Sequence, residues 1–338
     1  MRKGEFNMTK HKNLSVFVPH AGCPNQCSFC DQRSISGTQN PPTADEVSAL
    51  CDEYLPKEKG DDYEIAFFGG SFTAIDRGYM VSLLSAAQPF VRQGRAAGIR
   101  ISTRPDCISE EILGILKQYG VTSIELGAQS MQNDVLAMNL RGHTAEDVEK
   151  ASALIKQSGF SLGLQMMTGL YGQKDYMEYA LDTAAKFVSL KPDTVRIYPT
   201  VTLKNTLLEH KFSTGEYTPP TLEQTVEICA QLMDIFEEND IRIIKMGLHA
   251  DTGLEGKIVA GPYHPAFREL CMAQRCLVKI KGQLTNKEKK DYIIKVNPKE
   301  LSQWKGQKNS NIKSLAGMGY SVQIAADGNI PKGEFKID

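Results

Sequence analysis

The stretch Gly-Cys-Pro-Asn-Gln-Cys-Ser-Phe-Cys at residues 22–30 carries three cysteines within eight residues: Cys23, Cys27 and Cys30. It directly follows an apolar run at 14–20 that is typical of a buried strand. Proline, asparagine and glutamine between the first two cysteines favour a turn. Three thiolates can therefore converge on one metal centre from a single loop.

The number of cysteines bears on the kind of metal centre. A structural zinc site is normally closed by four protein ligands, whereas three ligands leave a coordination position for an exogenous molecule. The motif alone also fits a zinc site whose fourth ligand is His20, because several metals share cysteine runs of this kind.

Composition is that of an ordinary globular chain. The 338 residues are 41% hydrophobic and 23% charged, enough for one large α/β domain with an appendage or for two domains. No apolar run approaches the length of a membrane span, and the polar start lacks the apolar core of a signal peptide, so we expect a cytoplasmic protein with no membrane partner. The other five cysteines are expected to be ordinary thiols.

Charge is unevenly distributed. Residues 277–338 contain twelve lysines, no arginine and six acidic residues, a formal charge of +6 that leaves −7 for the remainder. This asymmetry indicates a polyanionic partner, although a solvated lysine face explains the same count.

Strand-like and helix-like segments alternate after the cysteine motif. The predicted strands cover residues 14–20, 64–70, 99–104, 122–129, 161–170, 194–200 and 241–248. The predicted helices cover residues 43–55, 75–91, 109–118, 144–156, 174–190 and 222–238. This alternation predicts an α/β fold with a parallel sheet wrapped by helices. The strand number favours a partial (β/α)6-type TIM barrel over a doubly wound sheet, which periodicity alone does not exclude.

Polar residues fall where the predicted strands end or along their last residues. They are Gly69, Gly70 and Ser71, then Ser102, Thr103 and Arg104, then Gln129 and Ser130, followed by Gln165, Arg196 and Tyr198. The carboxyl ends of parallel barrel strands form one mouth, so these residues should lie together there. The glycine pair also has an ordinary interpretation as a turn that needs positive φ.

The cysteine spacing resembles the CxxxCxxC signature of the radical S-adenosylmethionine (SAM) superfamily, and Phe29 before the last cysteine matches as well. The resemblance implies a 4Fe-4S cluster on Cys23, Cys27 and Cys30, with one iron open to bind SAM. It further implies reductive cleavage of SAM to a 5'-deoxyadenosyl radical and a reduced flavodoxin- or ferredoxin-type electron donor.

The same resemblance implies the SAM contacts. Gly69, Gly70 and Ser71 resemble the superfamily's glycine-rich contact. Motif positions also match SAM contacts of related enzymes such as oxygen-independent coproporphyrinogen III oxidase; these are Thr103, Gln129, Arg141 and Gln165. Arg141 is suited to the SAM carboxylate because a guanidinium can bind a carboxylate through two hydrogen bonds.

Longer phrases resemble the radical SAM domain of the Elongator catalytic subunit, a family that modifies wobble uridines of tRNA with acetyl-CoA as the carbon source. They are FFGGSFT at 67–73, STRPD at 102–106, IELGAQS at 124–130, RGHT at 141–144, RIYPT at 196–200, the turn ending at 205–206, and GEY at 215–217. The resemblance covers residues 14–248.

Three differences from that subunit are visible. The gap between the first two cysteines is three residues instead of a longer one, no counterpart of its N-terminal tRNA-binding segment is expected, and the residues after 248 are too few for its acetyltransferase domain. We therefore expect Elongator-like architecture without a commitment to Elongator chemistry, and the sequence leaves the transferred group open.

The segment after the barrel (1–250) is predicted to be a loop and connector at 251–285 that covers the mouth. With Tyr198 from the barrel, it offers Tyr263, His264 and Arg268 as substrate contacts. A structural loop with a satisfied histidine is the alternative.

Residues 286–338 are predicted to form a small α/β domain that resembles a minimal KH domain, with the order strand, helix, turn, helix, strand. Lys305, Gly306, Lys308 and Lys313 surround the turn and are candidate RNA contacts. Asn309 replaces the second glycine of that motif. A KH-like fold used only for packing is the alternative.

These features predict a radical SAM enzyme that modifies RNA, either tRNA or rRNA, as a transferase. A radical SAM enzyme acting on a metabolite, a tetrapyrrole or a protein is one alternative. A non-catalytic, zinc-stabilised RNA-binding protein is another.

Overall fold

The computed structural model describes residues 12–18, 26–31, 40–248 and 255–338. The strands of the main region are β1 (Lys12–Val18), β2 (Tyr63–Gly69), β3 (Gly98–Thr103), β4 (Val121–Gln129), β5 (Ser161–Thr168), β6 (Thr194–Pro199), the short β7 (Thr202–Leu203) and β8 (Arg242–Met246). All except β7 form one parallel sheet of seven strands in the order β1-β2-β3-β4-β5-β6-β8, curled into a half-barrel. The predicted partial barrel is confirmed, with a seventh strand beyond the six of the (β/α)6 pattern.

Helices connect the strands and cover the outer side of the sheet. They are α1 (Ala44–Tyr54), α2 (Arg77–Arg92), α3 (Glu110–Gln118), α4 (Asn133–Met138), α5 (Ala145–Gln157), α6 (Tyr176–Leu190), α7 (Leu207–Ser213) and α8 (Leu222–Glu238). The predicted capping box of α1 is present: Thr43 accepts a hydrogen bond from the Glu46 amide while the Glu46 carboxylate accepts one from the Thr43 amide. Thr144 and Thr221 begin α5 and α8 in the same way.

The two faces of the sheet differ in polarity. Alternate residues such as Ile65 and Phe67 of β2 are fully buried in the core between sheet and helices. Their neighbours Glu64 and Phe68 point to the opposite, inner face, because side chains alternate along a strand. The inner face carries most of the polar and charged strand residues, and the apolar core therefore lies outside the half-barrel.

One predicted loop is partly wrong. Within 251–285, the short β9 (Ile258–Ala260) pairs antiparallel with β7, and Phe267–Leu284 forms an 18-residue helix, α9. Ala266 begins this helix without a side-chain cap, so the usual sequence signal for a helix start is missing. No helix among the described residues is long and apolar enough to cross a membrane.

The C-terminal residues form a second small sheet. Its elements are β10 (Asp291–Val296), α10 (Leu301–Lys305), α11 (Ser310–Gly317), β11 (Ser321–Ala326) and β12 (Phe335–Ile337). The strand order is β11-β10-β12, with β10 parallel to β11 and antiparallel to β12. The predicted succession of strand, helix, turn, helix and strand is found, whereas β12 was not predicted. The KH-like resemblance itself stays a prediction.

Helix α9 takes part in both hydrophobic cores. Phe267 and Cys271 in its first half belong to the half-barrel core, whereas Ile280 and Leu284 in its second half belong to the C-terminal core around Trp304. The side chain of Asn311 in α11 donates a hydrogen bond of 2.9 Å to the carbonyl of Ala273 in α9. The helix therefore joins the two cores by continuous packing.

This packing predicts the effect of shortening one side chain of α9. Ile280 is fully buried, so Ile280→Ala should lower the free energy of unfolding by about 2–5 kcal/mol, through lost burial and a residual cavity. Val278→Ala, at a position 55% exposed on the same helix, should change it by less than about 1 kcal/mol. Urea unfolding of both variants measures the difference, and equal effects would contradict the described packing.

Candidate active site at the carboxyl edge of the half-barrel

Two of the three predicted cluster ligands, Cys27 and Cys30, lie in the short described segment 26–31. The amide of Cys30 donates to the carbonyl of Cys27 at 3.1 Å, which closes a turn with Ser28 buried inside it. Phe29 and both cysteines are half-buried. Cys23 lies outside the described residues.

Contacts from distant parts of the chain hold this turn. The hydroxyl of Ser28 donates to the side-chain oxygen of Asn139 at 2.7 Å, and its amide donates to the Asn139 carbonyl at 3.2 Å. The amide of Leu208, in α7, donates to the Ser28 carbonyl at 2.8 Å. The helices α4 and α7, which no prediction included, thus fix the cysteine turn at the mouth.

A buried guanidinium contacts one of the predicted ligands. Arg141 donates from Nη1 to the Cys27 sulfur at 3.0 Å and from Nη2 to the Gly127 carbonyl at 2.5 Å. Arg104 also lies near: burial disfavours its charge, but its pairing with Asp106 and the nearby sulfurs of Cys107 and Cys27 raise its pKa. The guanidinium groups of Arg141 and Arg104 therefore place positive charge beside the Cys27 sulfur.

The predicted contacts Ser71 and Thr103 bind each other. Their hydroxyl oxygens are 2.9 Å apart, and the Thr103 hydroxyl is also 2.6 Å from that of Thr73. All three side chains are buried. In this arrangement the hydroxyl groups hydrogen-bond to one another and so connect the ends of β2 and β3.

Gly69 has a clear structural reason to be glycine. Its φ is +121°, and a Cβ there would lie 2.8 Å from the carbonyl oxygen of Val18 in β1. The amide of Gly70 donates to the same oxygen at 3.1 Å. The glycine pair therefore allows the ends of β1 and β2 to approach closely, as its alternative interpretation as a turn suggested.

Buried polar atoms without a protein partner lie at the end of β4. Gln129 adopts a φ of 67°, which is uncommon for a residue other than glycine, and follows an irregularity in the pairing with β5. Within the described ranges, Oε1 of Gln129, Nε of Arg141 and Nδ1 of His143 have no hydrogen-bond partner. Unpaired buried groups of this kind are costly in a native protein unless a ligand binds them.

These observations test whether the site fits the predicted cofactors. Two cysteines on one turn, one of them in contact with a guanidinium, suit a cluster of iron and sulfide. The unpaired donor of Arg141 and the unpaired acceptor of Gln129 suit a small polar molecule next to it. The residues present therefore fit a 4Fe-4S cluster with SAM.

A network of buried charges forms the floor of the site. Glu125 of β4 is 1% exposed and accepts hydrogen bonds from Arg196 at 2.6 and 2.9 Å and from Arg100 at 3.1 Å. Gln165 donates to the same carboxylate at 3.1 Å, and Arg100 also binds Glu64 at 2.6 Å. Sequence reasoning missed Glu64, Arg100 and Glu125, although charged residues at alternate positions of apolar strands were a usable signal.

The predicted substrate contacts lie in two regions. Tyr198 is half-buried in β6 beside Arg196, and burial raises the pKa of its phenol. Tyr263 and His264 line a small space with Pro199 and Gly247 at the ends of β6 and β8. His264 Nδ1 accepts a hydrogen bond from the Ala266 amide, and Arg268 donates to the carbonyl of Ile243 at 3.4 Å.

The remaining predicted contacts surround the turn between α10 and α11. Lys308 and Lys313 are exposed, Lys305 is half-buried and Gly306 is buried. Gly306 has a φ of +71°, and a Cβ there would lie 2.3 Å from the Ser310 hydroxyl. These residues form a group in the C-terminal domain, separate from the set at the mouth.

Comparison with known families accounts for this arrangement. A model of the radical SAM superfamily matches residues 17–184, and a model of the radical SAM C-terminal domain matches residues 192–279. The chain belongs to the radical SAM superfamily. It is accordingly an enzyme whose cofactors are a 4Fe-4S cluster and SAM, as the cysteine motif predicted.

Radical SAM relatives with curated names include a tRNA uridine(34) acetyltransferase of Methanocaldococcus jannaschii, 31% identical over 190 residues, 51% of this chain and 35% of that protein. The heme chaperone HemW of Bacillus subtilis is 25% identical over 253 residues, 73% of this chain and 65% of HemW. The solved structure of Methanocaldococcus infernus Elp3, lacking residues 1-46, has a TM-score of 0.64 at 23% identity and covers 82% of this chain and 63% of that one.

These matches confirm the resemblance to the Elongator catalytic subunit. The chain spans about a third of the acetyltransferase and less than two thirds of the other two proteins. The fold is thus shared over most of this radical SAM chain, while activities of the longer relatives are not transferred by the match alone.

His143 gives the site a pH-dependent contribution to stability. Burial, and then the charge of Arg141, lower its pKa to about 4 from 6.5. Because the unfolded state binds the proton first, this contribution is complete above about pH 6.5 and is lost as the pH falls toward about 4, by up to about 3 kcal/mol. His143→Gln should remove that part of the pH dependence, measured by urea unfolding at pH 7 and 5. His210→Gln at an exposed position is the control; an unchanged pH profile in His143→Gln would contradict the assignment.

Proposed function

We propose that this radical SAM enzyme modifies RNA, with tRNA as the favoured substrate. The observation that carries the proposal is the joint match to the superfamily and to a relative named as a tRNA uridine acetyltransferase. The basic C-terminal domain, a separate feature of the chain, supports it through its charge.

The residues at the mouth have the following proposed roles. Cys23, Cys27 and Cys30 hold the cluster, and Arg141 and Gln129 bind the amino-acid part of SAM through the groups that lack a protein partner. When bound, these cofactors supply a 5'-deoxyadenosyl radical after one electron arrives from a reduced flavodoxin- or ferredoxin-type donor. The half-barrel excludes water and orients the substrate.

Other proposed SAM contacts follow from position. Gly69 and Gly70 present backbone groups at the end of β2, and Phe29 packs beside the cluster. The Gln165 amide nitrogen is held by Glu125 at 3.1 Å, so its oxygen is left as an acceptor. Ser71 and Thr103 support this edge through their mutual hydrogen bond.

The similarity to HemW keeps a second substrate class open, because that relative is named as a heme chaperone. A radical SAM enzyme acting on a tetrapyrrole or another small molecule would need no RNA for turnover. The presence or absence of RNA in the assay therefore separates the two proposals.

The deciding experiment measures 5'-deoxyadenosine formed by anaerobically reconstituted protein with SAM and a reductant, with and without tRNA. Bulk tRNA should raise the rate about tenfold or more, because a bound substrate completes the site. Cys27→Ala should abolish formation, since two thiolates do not hold the cluster, and Cys51→Ala, a buried cysteine away from the turn, should retain it.

The outcomes discriminate clearly. If 5'-deoxyadenosine formation is unchanged by tRNA but raised by heme or a porphyrin, the substrate is a tetrapyrrole and not RNA. If the purified protein contains zinc and no iron and forms no 5'-deoxyadenosine, the proposed catalytic function is refuted.

The basic turn of the C-terminal domain is proposed to contact RNA phosphates. Asn309 adopts a φ of 60°, so it takes the left-handed conformation that the second glycine of a KH turn provides. Lys308 and Lys313 are exposed beside it, and no acidic residue lies in the first turn of α11.

Lys308→Ala with Lys313→Ala should weaken tRNA binding about fivefold to tenfold. A plot of the logarithm of the tRNA association constant against the logarithm of the salt concentration should become less steep by about two units of slope, because each lysine neutralises one phosphate. Fluorescence anisotropy with labelled tRNA at several salt concentrations measures both. Lys117→Ala with Lys150→Ala, on the outer helices α3 and α5, is the charge-matched control. If both double variants lose affinity equally, RNA contact at this turn is refuted.

A further inference from the structure

Two phenylalanines face the inside of the half-barrel near the carboxyl ends of its first two strands. Phe17 of β1 and Phe68 of β2 are register partners in the parallel pairing. Their ring centroids are 6.4 Å apart with an interplanar angle of 50°, so neither ring covers the face of the other. Phe17 is 38% exposed and stands outside the hydrophobic core.

This exposure is unusual for its position. The neighbouring side chains of β1, Val16 and Val18, are both 3% exposed in the core on the other face. Apart from Phe68, this face carries mainly polar and charged groups near Phe17, and contact with Phe68 still leaves 38% of the Phe17 side chain exposed. An aromatic ring with an open face next to an active site is a typical contact for a planar ligand.

Hydrogen-bonding groups lie beside the second of the two rings, that of Phe68. The guanidinium of Arg196 lies 4.9 Å from the centroid of Phe68, on its ring face. Arg196 is held in place by two hydrogen bonds to Glu125 and also interacts with the phenol of Tyr198. An open aromatic face is thus combined with rigid polar groups within one chain of contacts.

We propose that Phe17, Phe68, Arg196 and Tyr198 form a subsite that holds one unpaired nucleobase of the substrate, stacked on Phe17. A nucleobase has both a planar apolar face and a hydrogen-bonding edge, and the subsite offers a partner for each. A purely aliphatic group would leave the arginine and phenol without a function in binding.

The subsite rests on the proposed RNA substrate and makes it more specific. The base must leave its stack to enter the half-barrel, because a paired base inside an RNA helix does not expose its face. Single-stranded loops of RNA, whose bases are unstacked at low cost, are therefore the substrate class that this subsite selects.

The test replaces the aromatic face and nothing else. Phe17→Leu keeps an apolar side chain without a π-face, and Phe17→Trp keeps and extends the face. Tyr54→Leu, at a position 59% exposed at the end of α1, is the matched aromatic control. The chain has a single tryptophan, Trp304, which is buried in the C-terminal core, so a tryptophan at 17 reports on its own surroundings.

We expect the stimulation of 5'-deoxyadenosine formation by RNA to fall about tenfold in Phe17→Leu relative to Tyr54→Leu, since base stacking on aromatic side chains commonly contributes that much. Phe17→Trp should retain stimulation. Its fluorescence should be quenched by a single-stranded RNA oligonucleotide, and the native protein should show no such quenching.

Two results would overturn the subsite. One is unchanged stimulation by RNA in Phe17→Leu. The other is a fall in the SAM affinity of Phe17→Leu, measured by equilibrium dialysis without RNA, that is large enough to explain the whole loss of stimulation. The ring would then contact the cofactor and not the substrate. If RNA fails to stimulate the native protein, the proposed function fails instead. Quenching of Phe17→Trp by free nucleosides then still tests the subsite.

Discussion

The carboxylate of Glu125 lies at the centre of the inner face and binds side chains from three other strands. It accepts hydrogen bonds from Arg100 of β3, Gln165 of β5 and Arg196 of β6. Removing a carboxylate from water is costly unless charged partners and hydrogen bonds compensate it, and here every partner is itself positioned by the sheet. Gly163 makes room for it, because a Cβ there would lie 2.7 Å from Cγ of Glu125.

This arrangement determines where the protein can place its hydrophobic core. Since the inner face holds paired charges, apolar burial occurs between the sheet and the outer helices. The half-barrel is then open at its carboxyl edge and lined by polar groups of fixed orientation. Residues on the outer face of each strand thus stabilise the fold, whereas the alternate residues on the inner face line the candidate site.

The sequence predicted the parts of the fold that follow from local rules. Periodicity and capping signals predicted the seven parallel strands, the capping box at Thr43 and Glu46, and both ends of helix α8. Helix α9 was missed because its start lacks a capping side chain, and α4 and α7 because they are too short for a periodic signal. Their stability depends on tertiary contacts that no local rule contains.

Sequence reasoning named candidate site residues but not the contacts between them. Motif positions predicted SAM contacts at the carboxyl edge of the sheet, namely Thr103, Gln129, Arg141 and Gln165. They did not reveal that Thr103 is bound to Ser71, or that Gln165 is held by Glu125. Which of two polar atoms is already paired depends on neighbours in three dimensions, and this decides whether a residue can bind a ligand.

The cysteine turn shows the same limit most clearly. Its predicted ligands are close together in the sequence, yet its position depends on Asn139, 111 residues after Ser28. The side-chain amide of Asn139 also donates to the carbonyls of Val135 and Tyr171 at 2.8 Å each. One fully buried amide therefore joins the turn, helix α4 and the loop after β5. Because the buried amide satisfies all three, moving any one of them leaves a buried group unpaired, at a cost of about 1–3 kcal/mol. The position of the predicted ligand turn is consequently maintained by the body of the half-barrel rather than by the cysteine motif itself.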